Sequence, residues 1–312
     1  MTEWEGVLPL WKDAGMTSHD CVARTRKLLK MKRIGHTGTL DPDVSGVLPL
    51  CLGRATRIVE YLQDLPKVYD AELTIGYATD TEDASGAITE RADHVRLTDE
   101  QIKAAIRQFV GTIEQTPPMY SAVKIAGRRL YDIAREGQVI ERPSRKVTIY
   151  SIDIRSIDLD GIYPKVAMKV VCSKGTYIRT LCTDIGRSLG LPAVMSALIR
   201  TGSGSIPKER CVTLLEVERH VRESTLSSVI VPVSDALDHL AAGVISDNAM
   251  RPALQGRKLY AAAVQLSNAS DSSASGLVRL FGNDPDACVR RFVGLYRTDE
   301  ESGDFIPQKL FL

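Results

Sequence analysis

The sequence predicts an α+β protein in two parts. A large region of mixed strands and helices runs to about residue 240, and a smaller all-strand region after it reads as a β-barrel. Three observations predict this. In 67–75, Tyr69, Ala71, Leu73 and Ile75 alternate with polar residues, the period of a half-buried strand. Ile178, Leu181, Cys182, Ile185 and Leu189 recur at the spacing of a core-facing helix. From about Ala241 the texture changes to short strand-like runs, 262–266, 277–281, 289–296 and 305–312, separated by turn residues.

In chain order, Gly6-Val7-Leu8-Pro9-Leu10 reads as a short strand and 12–16 as a loop. Thr17 then caps a helix, with Asp20 three residues on completing a capping box. That helix carries Arg24, Arg26, Lys27 and Lys30, followed by Lys32 and Arg33, with no acid between Cys21 and Leu40. It is either a solvated basic face or one that meets phosphates. Thr79-Asp80-Thr81-Glu82-Asp83-Ala84-Ser85-Gly86 is an acidic turn to which no chemistry is assigned. Thr98 and Gln101 box the start of a packing helix with the stripe Ile102, Ile106, Phe109 and Val110, ended by Gly111. Pro117 and Pro118 forbid regular helix around them. A short helix (Leu130, Tyr131, Ile133, Ala134) follows, among Lys124, Arg128, Arg129, Arg135, Arg142, Arg145 and Lys146. This is either a solvated hairpin or a mobile basic flap, and the flap is favoured by the family resemblance given below. The run 166–172 is nearly continuous apolar strand, as a central position requires, and Ser173-Lys174-Gly175 turns it into the helix opened by Thr176-Tyr177-Ile178-Arg179. Arg179 and Tyr177 sit off that helix's apolar stripe. Residues 267–276, rich in Ser and Asp, read as a flexible loop.

Composition narrows the function classes without choosing one. The chain has 312 residues, 44% of them hydrophobic and 25% charged, as in an ordinary globular protein. No apolar run is long enough to cross a membrane, and the opening residues are polar and acidic rather than a secretory signal. Six scattered cysteines without a Cys-x-x-Cys pair read as reduced thiols, which places the protein in the cytoplasm. A net charge of +1 advertises no nucleic-acid partner, so any such surface must come from segregated charge.

The stretch 35–57 carries the chemistry. Gly35 and Gly38 permit unusual backbone, and Pro42 pushes Asp41 out of the helical region. Val47 to Leu52 is a short apolar run broken by Pro49 and closed by Gly53, a pattern suited to a buried edge-type strand. One acid, Asp41, is thus set on a stiff loop leading into the core. It either organises a turn or does chemistry. A phosphotransferase reading of Asp41-Pro42-Asp43 is weak, because Gly, His, Thr and Gly precede the acid where a hydrophobic strand is wanted.

The run Gly35-His36-Thr37-Gly38-Thr39-Leu40-Asp41-Pro42, continuing through Gly-Val-Leu-Pro-Leu-Cys-Leu-Gly and Ala-Thr-Arg, resembles the signature of the TruB family of tRNA pseudouridine synthases. Lys67-Val68-Tyr69 and Ser173-Lys174-Gly175-Thr176-Tyr177-Ile178-Arg179 are similar to two further motifs of that family. Lys12-Asp13-Ala14-Gly15-Met16-Thr17-Ser18 departs from it, with Asp where the family usually has Pro. The resemblance implies the pseudouridine synthase fold, a mixed, largely antiparallel central sheet flanked by helices. It implies a catalytic domain over 1–240 with a thumb-like insertion at about 115–146, and a PUA-like RNA-binding domain over 241–312. It further implies Asp41 as catalytic acid, Arg179 as its partner, and Tyr69 as stacking ring and base for the C5 proton. His36 would fill the space of the flipped base, Leu198 would pack in the site, and Gly35, Thr39, Tyr177, Lys12 and Arg33 join the substrate-binding set. The implied partner is tRNA, bound through its T-arm by a monomer. The reaction would isomerise the T-loop uridine at position 55, and assistance to tRNA folding is a second implied role. No redox or phosphate-transfer step occurs in such a reaction, so no metal or cofactor is expected. A guide-RNA-directed pseudouridine synthase and a non-catalytic RNA-binding protein are the alternatives. The first is expected to carry long Lys-rich tails; the second has no need of Asp41, Tyr69 and Arg179 together.

Overall fold

Side-chain periodicity becomes a single large sheet with helices packed on it. The computed structural model describes residues 4–121, 123–125, 127–138, 140–267, 276–283 and 289–311. The strands of the first 240 residues are β1 (Gly6–Lys12), β2 (Ile34–His36), β3 (Ser45–Leu52), β4 (Lys67–Ile75), β5 (Tyr77–Thr79), β6 (Ile88–Arg91), β7 (Gly111–Gln115), β8 (Lys124–Ile125), β9 (Arg128–Arg129), β10 (Arg145–Asp158), β11 (Lys165–Cys172), β12 (Ala193–Ser203) and β13 (Ile206–Pro207). The helices are α1 (Ser18–Leu29), α2 (Val59–Asp64), α3 (Asp99–Arg107), α4 (Leu130–Arg135), α5 (Ile178–Ser188), α6 (Leu214–Arg222) and α7 (Val233–Ala236). The main sheet has the order β1-β3-β12-β4-β11-β10-β7, with β2 added to β3 and β13 to β12. Only β3 and β12 run parallel; the other neighbours are antiparallel. The mixed, largely antiparallel sheet expected from the sequence is therefore present.

The capping boxes form as read. Thr17 and Asp20 exchange hydrogen bonds at the start of α1, and Thr98 and Gln101 do so at α3. Each such cap contributes about 1 kcal/mol to its helix. Helix α3 ends at Arg107, earlier than its stripe suggested, and Val110 is left 47% exposed. Ile178, Leu181, Cys182 and Ile185 of α5 join Tyr69, Ala71, Leu73 and Ile75 of β4 in one core, which also takes Cys21 and Val22 from α1.

Strand β3 corrects the edge-strand expectation: it lies inside the sheet, between β1 and β12. Pro49 is tolerated there because its Cα partner in β1 is Pro9, and because β12 pairs β3 only at Ile199↔Ser45 and Arg200↔Gly46. No ladder bond is asked of the missing N–H, while the Pro49 carbonyl accepts the Thr37 N–H at 3.2 Å.

The insertion between β7 and β10 leaves and returns at paired positions, Gln115↔Arg145. It holds the β8–β9 hairpin and α4, whose Leu130 and Ile133 are buried. Arg142 ties its root by donating to the Pro117 carbonyl at 2.9 Å. The side chains of Lys124 and Arg129 lie outside what is described, as do Cys288 and all but the ends of the expected loop 267–276.

The C-terminal part contains β14 (Ala241–Ile245), α8 (Asp247–Leu254), β15 (Val264–Leu266), β16 (Leu277–Asn283), β17 (Arg290–Thr298) and β18 (Phe305–Leu310). The expected β-barrel is not closed. The strands form an open five-stranded sheet, β15-β14-β16-β17-β18, and among the described residues nothing pairs β15 with β18. One reason is that α8 supplies cover, burying Met250 and Ala253 against Leu280, Val293 and Tyr296. The other is that Leu277, Leu295 and Phe311 pack into a core shared with Val7, Val47, Ala55 and Ile58. Arg57 donates to the Leu310 carbonyl at 2.9 Å, and Lys309 pairs with Glu60 at 3.0 Å, across the same junction.

Candidate active site

The sheet register brings the separate motifs to one end of three strands. Tyr69 faces Val170 of β11 and Arg200 of β12, and Cys172, where β11 ends and the turn into α5 begins, faces Lys67. Loop 37–44 reaches the same place because β3 enters the sheet beside Arg200.

That loop is held through its own backbone. Arg200 donates to the carbonyls of Gly38 and Thr39, both at 3.2 Å, and to that of Val47 at 2.7 Å. The Ser18 hydroxyl accepts the Leu40 N–H at 2.9 Å and donates to the Leu40 carbonyl at 3.3 Å. Asp41's carbonyl accepts the Val44 N–H, and Lys12 donates to Pro42's carbonyl at 2.9 Å. All five carbonyls from 38 to 42 are thus engaged, and the Asp41 side chain is left half-exposed above them. Gly46 permits the approach to β12. Its φ is +138°, and a Cβ there would lie 2.3 Å from the Arg200 carbonyl oxygen and 2.6 Å from its nitrogen. Both are backbone atoms and cannot swing aside. Gly46→Ala is therefore expected to destabilise the fold by about 3 kcal/mol or more, read as a lowered urea midpoint.

Arg179 stands at the first turn of α5 and is only 5% exposed. Its Nη2 lies 3.0 Å from Asp41 Oδ2 and donates to the Tyr120 carbonyl at 2.8 Å, while Nη1 donates to the Thr81 carbonyl at 2.9 Å. Asp83 Oδ2 is 3.9 Å from Nε. A buried guanidinium so satisfied is fixed in place and orients the acid it faces. Tyr69 is 9% exposed, and burial raises its phenol pKa above the ordinary value, partly offset by the charge of Arg200. The acid, the guanidinium and the phenol that the sequence separates are gathered here.

Residues 26–178 match the model of the TruB family pseudouridylate synthase (N terminal domain), and residues 179–238 that of the tRNA pseudouridylate synthase B C-terminal domain. The chain belongs to the TruB family. It is 53% identical over 246 residues to tRNA pseudouridine synthase B of Bacillus licheniformis, an alignment covering 78% of this chain and 80% of that one. To the protein of the same name from Bacillus pumilus it is 54% identical over 244 residues, covering 78% and 79%. Among solved structures, a Cbf5-Nop10-Gar1 complex superposes with TM-score 0.75 at 29% identity, covering 98% of this chain and 85% of that one. The archaeal box H/ACA sRNP Nop10-Cbf5 complex gives 0.72 at 28%, covering 99% and 86%. Membership makes the chain a pseudouridine synthase, an isomerase.

The remaining candidates differ in exposure and in what holds them. Thr39 is exposed and Tyr177 half-buried; Tyr177 exchanges hydrogen bonds with the side chain of Gln115 at the root of the insertion. Leu198 is half-buried against the core, with Ala71 as its Cα partner. Arg33 is exposed and donates to the Thr56 hydroxyl at 2.8 Å. Gly35 pairs with Cys51 in the β2–β3 ladder. Lys12, expected to bind substrate, is fully buried, its ammonium shared among the carbonyls of Asp13, Met16 and Pro42; it supports the loop from below.

His36 Nδ1 accepts the Gly38 N–H at 3.3 Å, so a neutral ring carries its proton on Nε2. Burial lowers its pKa below 6.5, with the Arg200 and His19 charges adding to the effect. Between 6.5 and that lowered value the unfolded chain holds more protons than the native one, so His36 makes stability fall as pH falls through this window. His36→Asn keeps an acceptor for Gly38 and is expected to remove that loss, measured as urea midpoints against pH.

Two features were missed in the sequence. The acidic turn supplies the Thr81 carbonyl and Asp83 that hold Arg179, and Thr180 ties Glu82 to α5 at 2.6 Å. The signal was three acids beside threonines with no basic partner nearby in sequence. Arg200 is the other: beside Leu198 it fits a family segment, which by itself gives it no role, and it is only 1% exposed.

Proposed function

We propose that this chain converts the T-loop uridine at position 55 of tRNA to pseudouridine, acting as a cytoplasmic monomer. In this reading residues 1–240 are the catalytic domain, the insertion at about 115–146 is a thumb that grips the T-arm, and 241–312 are a PUA-like RNA-binding part. The observation that carries it is the 3.0 Å pair of Asp41 and Arg179 beside Tyr69, on a loop held by every carbonyl around it.

The uridine leaves its stack at a cost of about a few kcal/mol. Stacking on the Tyr69 ring returns roughly 1–3 kcal/mol of that. Asp41, oriented by Arg179, then acts as nucleophile or stabilises the sugar intermediate while the N1–C1′ bond breaks and its electron pair stays on uracil. The ring turns and C5 bonds to C1′. Tyr69 takes the C5 proton, the C–H pair returns to the ring, and N1 gains a proton. Nothing is oxidised or transferred to a second molecule, so the chain's own side chains suffice. Basic residues of α1 and the insertion meet phosphates, and the folded loop is read by shape.

The test is to incubate the chain with an unmodified tRNA transcript, and separately with the T-arm stem-loop alone, and to map pseudouridine. A single modified position, 55, in both RNAs is expected. Modification only when a guide RNA is added supports the guide-directed alternative instead, and RNA binding without any modification supports the non-catalytic one.

A further inference from the structure

We propose that Arg200 is a positioning residue of the reaction, which uses one guanidinium to tether the acid-bearing loop and to hold the Tyr69 oxygen where it takes up the C5 proton. The inference rests on the reading of Tyr69 as the C5 base.

Three observations support it. The first is place. Arg200 is the Cα partner of Tyr69 across the β4–β12 ladder and of Gly46 in β3, so one side chain spans the loop and the tyrosine strand. Its Nη1 would lie 3.6 Å from a Cβ added at Gly38. The second is burial without a counter-ion. Arg200 is 1% exposed, its acceptors are the carbonyls of Gly38, Thr39 and Val47, and among the described residues no carboxylate pairs with it. Removing a cation from water without a carboxylate partner is unfavourable, and neutral donors would satisfy carbonyls at lower cost. A charge kept there points to a need for charge. The third is what the charge faces. Around the Tyr69 phenol stand Arg200 from β12, Cys172 from β11 and Asp41 from the loop. Burial, Cys172 and Asp41 all oppose ionisation of the phenol, and Arg200 favours it. Lys67, the next nearby cation, is turned away, donating to the carbonyls of Leu62, Gln63 and Leu65.

The chemistry needs this bias at one moment. Once C5 has bonded to C1′ it carries both the sugar and its hydrogen. The Tyr69 phenol first gives its own proton to solvent; the phenolate then takes that hydrogen as a proton, the C–H electron pair restores the ring, and N1 is protonated, leaving the phenol neutral again. A phenol held neutral by its surroundings is not the base for this step, and the Arg200 guanidinium stabilises the phenolate that is.

The test compares single-turnover rates at saturating tRNA for the intact chain, Arg200→Gln and Arg200→Lys, each with tyrosine or 3-fluorotyrosine at position 69. Fluorination makes the phenol more acidic and changes little else. Arg200→Gln is expected to lose at least a hundredfold in rate with tRNA affinity within threefold, and its pH–rate profile to rise at higher pH. Fluorotyrosine is expected to restore at least tenfold of that loss, against less than threefold gain in the intact chain. If Arg200→Gln does not fold, Arg200→Lys carries the same comparison, and a larger fluorotyrosine gain than in the intact chain supports the proposal. Equal gains in variant and parent, or a rate profile lowered uniformly at all pH values, overturn it and leave Arg200 with a structural role alone. A fully active Tyr69→Phe in the chain with Arg200 intact removes the base reading instead, so the two failures are distinguishable.

Discussion

Asp41→Asn is expected to fold, to bind tRNA as the parent does, and to lose isomerisation by at least about a thousandfold. The reasoning starts from what the carboxylate does for the fold, which is little. The loop is fixed through backbone carbonyls by Arg200, Ser18 and Lys12 rather than through the Asp41 side chain. Asp41's side chain is 47% exposed, so the ion pair with Arg179 contributes at most about 1 kcal/mol after solvent screening. Arg179 keeps the Thr81 and Tyr120 carbonyls when the acid becomes an amide. The amide has the carboxylate's shape but is neither nucleophile nor base. Melting temperature, tRNA dissociation constant and single-turnover rate separate these three expectations, and turnover at the parental rate takes Asp41 out of the reaction.

Tyr69→Phe is the second large effect. The ring is 9% exposed and belongs to the core that holds Ala71, Leu73 and the α5 stripe, so phenylalanine keeps its burial and the ring on which the proposed reaction stacks uracil. What goes is one oxygen. Loss of a positioned base costs about 10²–10⁴ in rate. The variant is expected to retain tRNA affinity and to fall in rate by that amount, with release of the C5 hydrogen lost in parallel. A variant that releases the C5 hydrogen at the parental rate shows that another group takes the proton.

The sequence read most clearly where a local pattern and the fold agree. Strand β4 alternates because only one of its faces meets α5, and Thr17 and Thr98 cap helices through groups three residues away. Signals failed where the deciding partner is remote in sequence. Pro49 suggested an edge because the β3 pattern holds no trace of Pro9 opposite or of β12 stopping short of it. The C-terminal strands suggested closure, but α8 and the core shared with β1 and β3 cover the sheet instead. The acidic turn carried no assignment because Arg179, which it holds, is 98 residues further on from Thr81. Arg200 is the hardest case: one arginine at a strand's end, whose burial beside Tyr69 follows only from the β4–β12 register.

The most direct measurement of the account is a crystal structure of Asp41→Asn bound to a T-arm stem-loop. It is predicted to place the target uridine outside the loop's stack, its ring on Tyr69 and its sugar against residue 41, with Arg179 between the residue-41 amide and the Thr81 carbonyl. A target uridine still stacked in its loop, or lodged where neither residue 41 nor Tyr69 reaches it, contradicts the account.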